Sequence, residues 1–142
     1  LFIVLSSGAM ITFFLMLNSS TALRYNANDI SRAMEAGERW RADVRGATGW
    51  IQSGVSTNGV TFSIPHRKAV VAYRLSEDTL WRQNTSTSPW VPVLNRVKNS
   101  QMETAMRGTA RTCVWELELI PRKTVAKVPL AFSFEAVAPD KP

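Results

Sequence analysis

The feature that most constrains this chain is its first segment, Leu1–Leu17, LFIVLSSGAMITFFLML, which contains no charged residue and no proline. A run of that kind has to leave water, either into lipid or into a protein core. Its polar interruptions are Ser6, Ser7 and Thr12, whose hydroxyls can bond back to a helix carbonyl and so be tolerated by lipid. It meets the lower bound, roughly 17 residues, for a helix crossing a hydrocarbon core of about 30 Å. Residues 1–18 are therefore read as a transmembrane anchor. No initiator Met and no basic flank precede the run, so the anchor is expected to start upstream, in a longer precursor or before processing. A cleaved signal peptide stays open as the alternative, because Asn18-Ser-Ser-Thr-Ala22 resembles a cleavage zone. Continuity favours the anchor, since no helix breaker separates the apolar block from the periodic segment after it.

From Ser19 to Thr48 there is no Pro, and apolar or small residues recur at Leu23, Ala27, Ile30, Met34, Trp40, Val44 and Ala47. That spacing predicts an amphipathic helix over 19–48 that continues the anchor, with Ile30, Met34, Trp40 and Val44 seating it on the rest of the chain. The opposite, solvated face is expected to carry Arg24, Asn28, Arg32, Glu35, Arg39 and Asp43. Gly46 and Gly49 supply the stop, and Gly37 marks a bend or a close contact.

After Gly49 the period falls to two. Strands are expected at Val60–Ile64, Ala69–Leu75, Thr79–Gln83, Cys113–Ile120 and Leu130–Ala136, with a turn at Ser76–Asp78 and an irregular edge strand near Pro89 and Pro92. Gln101–Thr112 reads as a loop or short helix. The alternation of Cys113, Trp115, Leu117 and Leu119 against Glu116 and Glu118 implies a strand with one face in the core. The expected fold is α+β, a long N-terminal helix, membrane-spanning in its first half, packed on a small antiparallel β-rich head over 49–142.

Little here asks for chemistry. The single histidine, His66, lies between two strand candidates in Ile64-Pro-His-Arg-Lys68, and reads as a solvated turn residue. There is no HExxH, CxxC, EF-hand spacing or Gly-rich phosphate loop. The lone Cys113 falls on a core face and reads as an inert thiol. Charge is +6, from 17 Lys+Arg against 11 Asp+Glu, but the cations are dispersed, which argues against a specific phosphate-binding patch. Of the five tryptophans, Trp40 and Trp115 fall on core faces.

An apolar start containing Gly8, the run Glu38-Arg-Trp-Arg-Ala-Asp43-Val-Arg45-Gly-Ala47, the strand pair Val70–Leu75 and Thr79–Arg82, and the late Trp115-x-Leu-x-Leu119 resemble type IV pilin-like proteins. They are most similar to J-type minor pseudopilins of type II secretion and to minor pilins built alike. The resemblance implies a pilin-like fold, cleavage by a prepilin peptidase, methylation of the new terminus, and a Glu at the fifth mature position. Leu5 is not that Glu, so matching Gly8 to the glycine common in such anchors places the Glu upstream of Leu1.

It also implies a function: a non-enzymatic subunit of a secretion or pilus-like filament, its head outside the cytoplasmic (inner) membrane of a bacterium. Gly8, Ala9, Met10, Phe13 and Phe14 are the expected assembly contacts of the anchor, with small residues allowing close helix approach. The expected partners are other pilin-like subunits and inner-membrane lipid, with no nucleic acid, small-molecule substrate, metal or cofactor. The competing expectation is a single-pass, membrane-anchored envelope binding protein that does not polymerise.

Overall fold

The structure, a computed structural model, describes residues 5–6, 10–14, 20–121 and 130–139, with side chains from residue 27 onward. Its one long helix, α1 (Ser20–Arg45), buries Ala33, Ala36, Trp40 and Val44, with Ala47 just past its end. These positions recur every three or four residues and form one stripe. The helix closes where the Gly46 amide bonds to the Ala42 carbonyl at 3.2 Å, and Arg45 places a cation at its negative end.

Among the described residues ten strands form two five-stranded antiparallel sheets. The first, here the terminal sheet, unites β1 (Leu5–Ser6), β2 (Met10–Phe14), β8 (Val97–Arg107), β9 (Ala110–Leu119) and β10 (Leu130–Ala138) in the order β1-β2-β10-β9-β8. The second is a meander in chain order: β3 (Gln52–Ser56), β4 (Gly59–Pro65), β5 (Val70–Ser76), β6 (Thr79–Gln83) and β7 (Trp90–Leu94). The β5–β6 hairpin turns at Glu77 and Asp78, both at positive φ (51° and 62°), as a tight hairpin requires.

Alternation sets the faces of the terminal sheet. Phe134 opposes Trp115, Phe132 opposes Leu117 and Leu130 opposes Leu119, all buried, whereas Glu116 and Ala131 are exposed. The Trp115 ring centroid lies 5.8 Å from Trp40, 6.2 Å from Tyr73 and 5.3 Å from Phe134. One aromatic cluster thus joins the helix to both sheets. Gly37 lets α1 come close to β10, since a Cβ there would stand 2.3 Å from the Phe134 ring. The sheets meet where the Val97 amide bonds to the Asp78 carbonyl at 2.9 Å and the Ile51 amide to Thr104 Oγ1 at 3.4 Å.

The expected α+β, pilin-like fold, with a long helix running from the first residue through Thr48, is overturned. Strands make up most of the described residues, α1 is described over Ser20–Arg45, and among the described residues no helix is long and apolar enough to cross a membrane. Met10–Phe14 is instead a strand, with Phe14 opposite Ala131 and Ile11 opposite Phe134 of β10. The physical reason lies in the run itself. Met-Ile-Thr-Phe-Phe is rich in β-branched and aromatic side chains, and a short apolar run does not tell a buried strand from a buried helix.

Two further readings change. Gln101–Thr112 is not a loop or helix but the heart of the β8–β9 hairpin, where polar side chains alternate with Met102 and Thr104 on a strand with one wet face. Gln52–Ser56, which lacks an apolar pattern, is a fully exposed edge strand held by pairing with β4.

Candidate functional site

Of the residues expected to seat the helix, Trp40 and Val44 are fully buried, and Ile30 and Met34 are partly buried against the same core. The expected anchor contacts are distributed differently. Gly8 and Ala9 lie outside the described residues, while Met10, Phe13 and Phe14 belong to β2, where Met10 opposes Ser6 and Phe13 opposes Phe132. The structure therefore places Met10, Phe13 and Phe14 on a strand and not on a helix face.

Asp43 was expected on the solvated face of α1, and the structure buries it, at 7% exposure. It sits one residue before Val44 and three after Trp40, on the margin of the apolar stripe, where the meander sheet covers it. Its Oδ2 accepts a hydrogen bond from the Tyr73 hydroxyl and one from Arg82 Nε at 2.9 Å, and its Oδ1 accepts from Arg82 Nη2 at 2.7 Å. This two-pronged guanidinium–carboxylate contact ties β5 and β6 to the last turn of the helix. Arg82 Nη2 also reaches Asn84 Oδ1 at 3.3 Å.

The electrostatics follow from those bonds. Hydrogen bonding to Asp43 raises the Arg82 pKa. Burial, then the Asp43 charge, pushes the Tyr73 phenol well above its ordinary value. The carboxylate is fully engaged and the phenol held neutral, so the cluster positions elements and offers no free base. In sequence the only signal for it was an acidic residue beside a core valine, in the run that carries the pilin-like resemblance.

Elsewhere, two cations stack on aromatic rings. On the outward face of the meander, Arg74 stacks over Trp90, its guanidinium carbon 4.3 Å from the ring centroid, with Trp81 opposite Arg74 on β6. At the far end of the β8–β9 hairpin, Arg111 stands 5.3 Å from the Trp50 ring. Cys113 is buried, its thiol pushed up by burial, with Thr104 Oγ1 3.7 Å from Sγ. The His66 imidazole rests against Gly46, and its Nε2 is enclosed without a partner. A shallow cavity of about 250 Å³ opens on the outer face of the terminal sheet, beside Asn99, Glu116, Glu118 and Ser133. Among the described residues no group of three or more His, Cys, Asp or Glu is placed to hold a metal ion.

These features amount to a polar clamp between helix and meander and two cation–aromatic pairs. No family model matches the chain, and no curated protein and no solved structure matches it.

Proposed function

We propose that this chain is a structural assembly subunit, of the minor pseudopilin or minor pilin kind, whose head contributes contacts to a secretion or pilus-like filament. The observation that carries the reading is the position of the run Glu38–Ala47. Trp40, Asp43 and Val44 of this run lock the end of α1 onto both sheets at once. A helix fixed so rigidly to a β head is suited to transmitting force or holding register between neighbouring subunits. The reading assigns no catalytic residue and no cofactor, and its partners are other pilin-like subunits.

Attachment at the cytoplasmic membrane, with the head outside the cytoplasm, goes with this reading. It rests on the apolar composition of Leu1–Leu17. Cysteines placed at Met10 and Phe14, followed by crosslinking in cells and membrane fractionation, test it. The expected result is membrane-associated adducts with neighbouring pilin-like subunits. A product that is soluble and purely monomeric would overturn it.

A second reading, a non-polymerising envelope binding protein, is favoured by one observation, the outward Arg74–Trp90 stack beside Trp81. Planar aromatic surface next to a cation suits contact with a ligand or envelope partner. Monomeric product in the membrane fraction from the same crosslinking experiment selects this reading.

A further inference from the structure

Arg111, near the start of β9, is only 7% exposed. Its guanidinium lies against Trp50, its Nη1 is enclosed with no hydrogen-bond partner, and among the described residues no carboxylate pairs with it. A guanidinium that has lost water without gaining a counter-charge is unfavourable until something supplies one. Two large apolar side chains stand open around it: Trp50 at 45% and Met106 at 52% exposure, Met106 being the cross-strand neighbour of Arg111. An arginine framed by exposed Trp and Met has the composition of an interface core, not of ordinary surface.

The same chain carries the complementary surface. The outward positions of β8, β9 and β10 hold Glu103, Glu116, Glu118 and Glu135, an acidic face on a molecule whose net charge is +6. Lys98 takes Glu118 at 3.6 Å and Arg107 takes Glu135 at 2.8 Å. Glu103 and Glu116 are exposed and in no ion pair among the described residues. They flank Val114, which opposes Glu103, while Glu116 borders the shallow cavity. Two carboxylates in no ion pair among the described residues, about an apolar residue, match in kind a cation framed by Trp50 and Met106.

We propose that the Trp50–Met106–Arg111 corner of one copy docks on the acidic outer face of a second copy, with the exposed Trp50 and Met106 making the contact and the Glu103–Glu116 pair brought up to the Arg111 charge beneath them. The two surfaces differ, so the contact is head-to-tail. Each copy keeps one unused half, and the array grows unless its rotation closes a ring. Opposite charge selects this orientation over its alternatives, because corner against corner brings two guanidinium groups together and face against face brings carboxylates together. The proposal rests on the assembly reading and names the contact that the head would supply to it.

The experiment uses the full chain, purified, in sedimentation velocity over a range of concentrations at low and high salt. Trp50→Ala and Glu116→Lys alter exposed positions, so the test does not depend on the buried Arg111 tolerating a change. The expected result is self-association that weakens with salt, and tenfold or greater loss of affinity in each variant alone. Mixing the two variants should restore pairing but stop at a 1:1 dimer, since one retains only the face and the other only the corner. A chain monomeric at every concentration, association indifferent to both variants, or a mixture that fails to pair would overturn the proposal. If the purified chain is monomeric while the cellular crosslinks at Met10 and Phe14 still capture other subunits, self-docking fails and the assembly reading stands. Crosslinks from position 50 to a different protein in place of a second copy likewise overturn self-docking.

Discussion

Where α1 meets the terminal sheet the contact is apolar, built from Trp40, Trp115 and Phe134 with Gly37 allowing close approach. Where it meets the meander the contact centres on a buried Asp43 bonded to Arg82 and Tyr73. The first kind of joint is non-directional and gains from area removed from water. The second adds little net stability, because two charges must be stripped of water, but it is directional and tolerates few alternative arrangements. Together they suggest a division of labour in which the terminal sheet holds the helix and the carboxylate sets how the meander is turned against it.

The comparison can be broken most severely on the apolar side. Trp115→Asp removes a fully buried ring and leaves an unpaired carboxylate in the aromatic cluster, so it should cost about 5 kcal/mol or more. That is enough to unfold a domain of ordinary stability. Denaturant titration followed by tryptophan fluorescence checks this, and a wild-type midpoint would show that the cluster is not the core joint.

A smaller effect is expected at the polar joint. Asp43→Ala strands the Arg82 cation, but the Arg82 side chain is 17% exposed and can turn to water, so the loss should be about 2–3 kcal/mol. Combining Asp43→Leu with Arg82→Met should recover most of that loss, because an apolar pair needs no desolvation of charge. If the double variant is as unstable as the single one, the pair contributes stability directly and the contrast between the joints disappears.

The mildest test uses pH. Burial and Asp43 raise the Tyr73 pKa in the folded state above the ordinary phenol value, about 10, that the unfolded chain would show. The folded phenol therefore keeps its proton where the unfolded one loses it. That contribution is fully present below about pH 10 and is lost progressively as pH rises above it. Tyr73→Phe should cost about 1 kcal/mol at neutral pH through the lost hydrogen bond, and should flatten the decline in unfolding midpoint above pH 10. Equal slopes in variant and wild type would place the phenol outside the clamp.

How legible these joints were in the sequence differs for the same physical reasons. Trp40, Val44, Trp115 and the alternating strands near Cys113 and Leu130 announce themselves through period, because a face that packs must repeat with the element that carries it. Asp43 could not announce itself. On a helix wheel it borders the buried stripe, and whether a bordering carboxylate is wet or buried depends on whether another element brings it an arginine. Arg82 lies far along the chain on β6, where it looks like any polar strand residue. The corner at Arg111 was hidden for the same reason, within a stretch whose strand period is masked by polar side chains.

The sequence by itself determined which residues avoid water and with what local period: a helix ending near Gly46, strands alternating about Tyr73, Trp115 and Phe134, and an apolar first segment that must be covered. The tertiary structure alone decided what its described part becomes. Met10–Phe14 is apolar enough for lipid or for a sheet, and its pairing with β10 settles it as a strand because unpaired backbone groups gain partners there. It likewise decided that Asp43 finds Arg82 while Arg111 finds no carboxylate among the described residues, because charge pairing depends on which strands the fold makes neighbours and not on their distance in sequence.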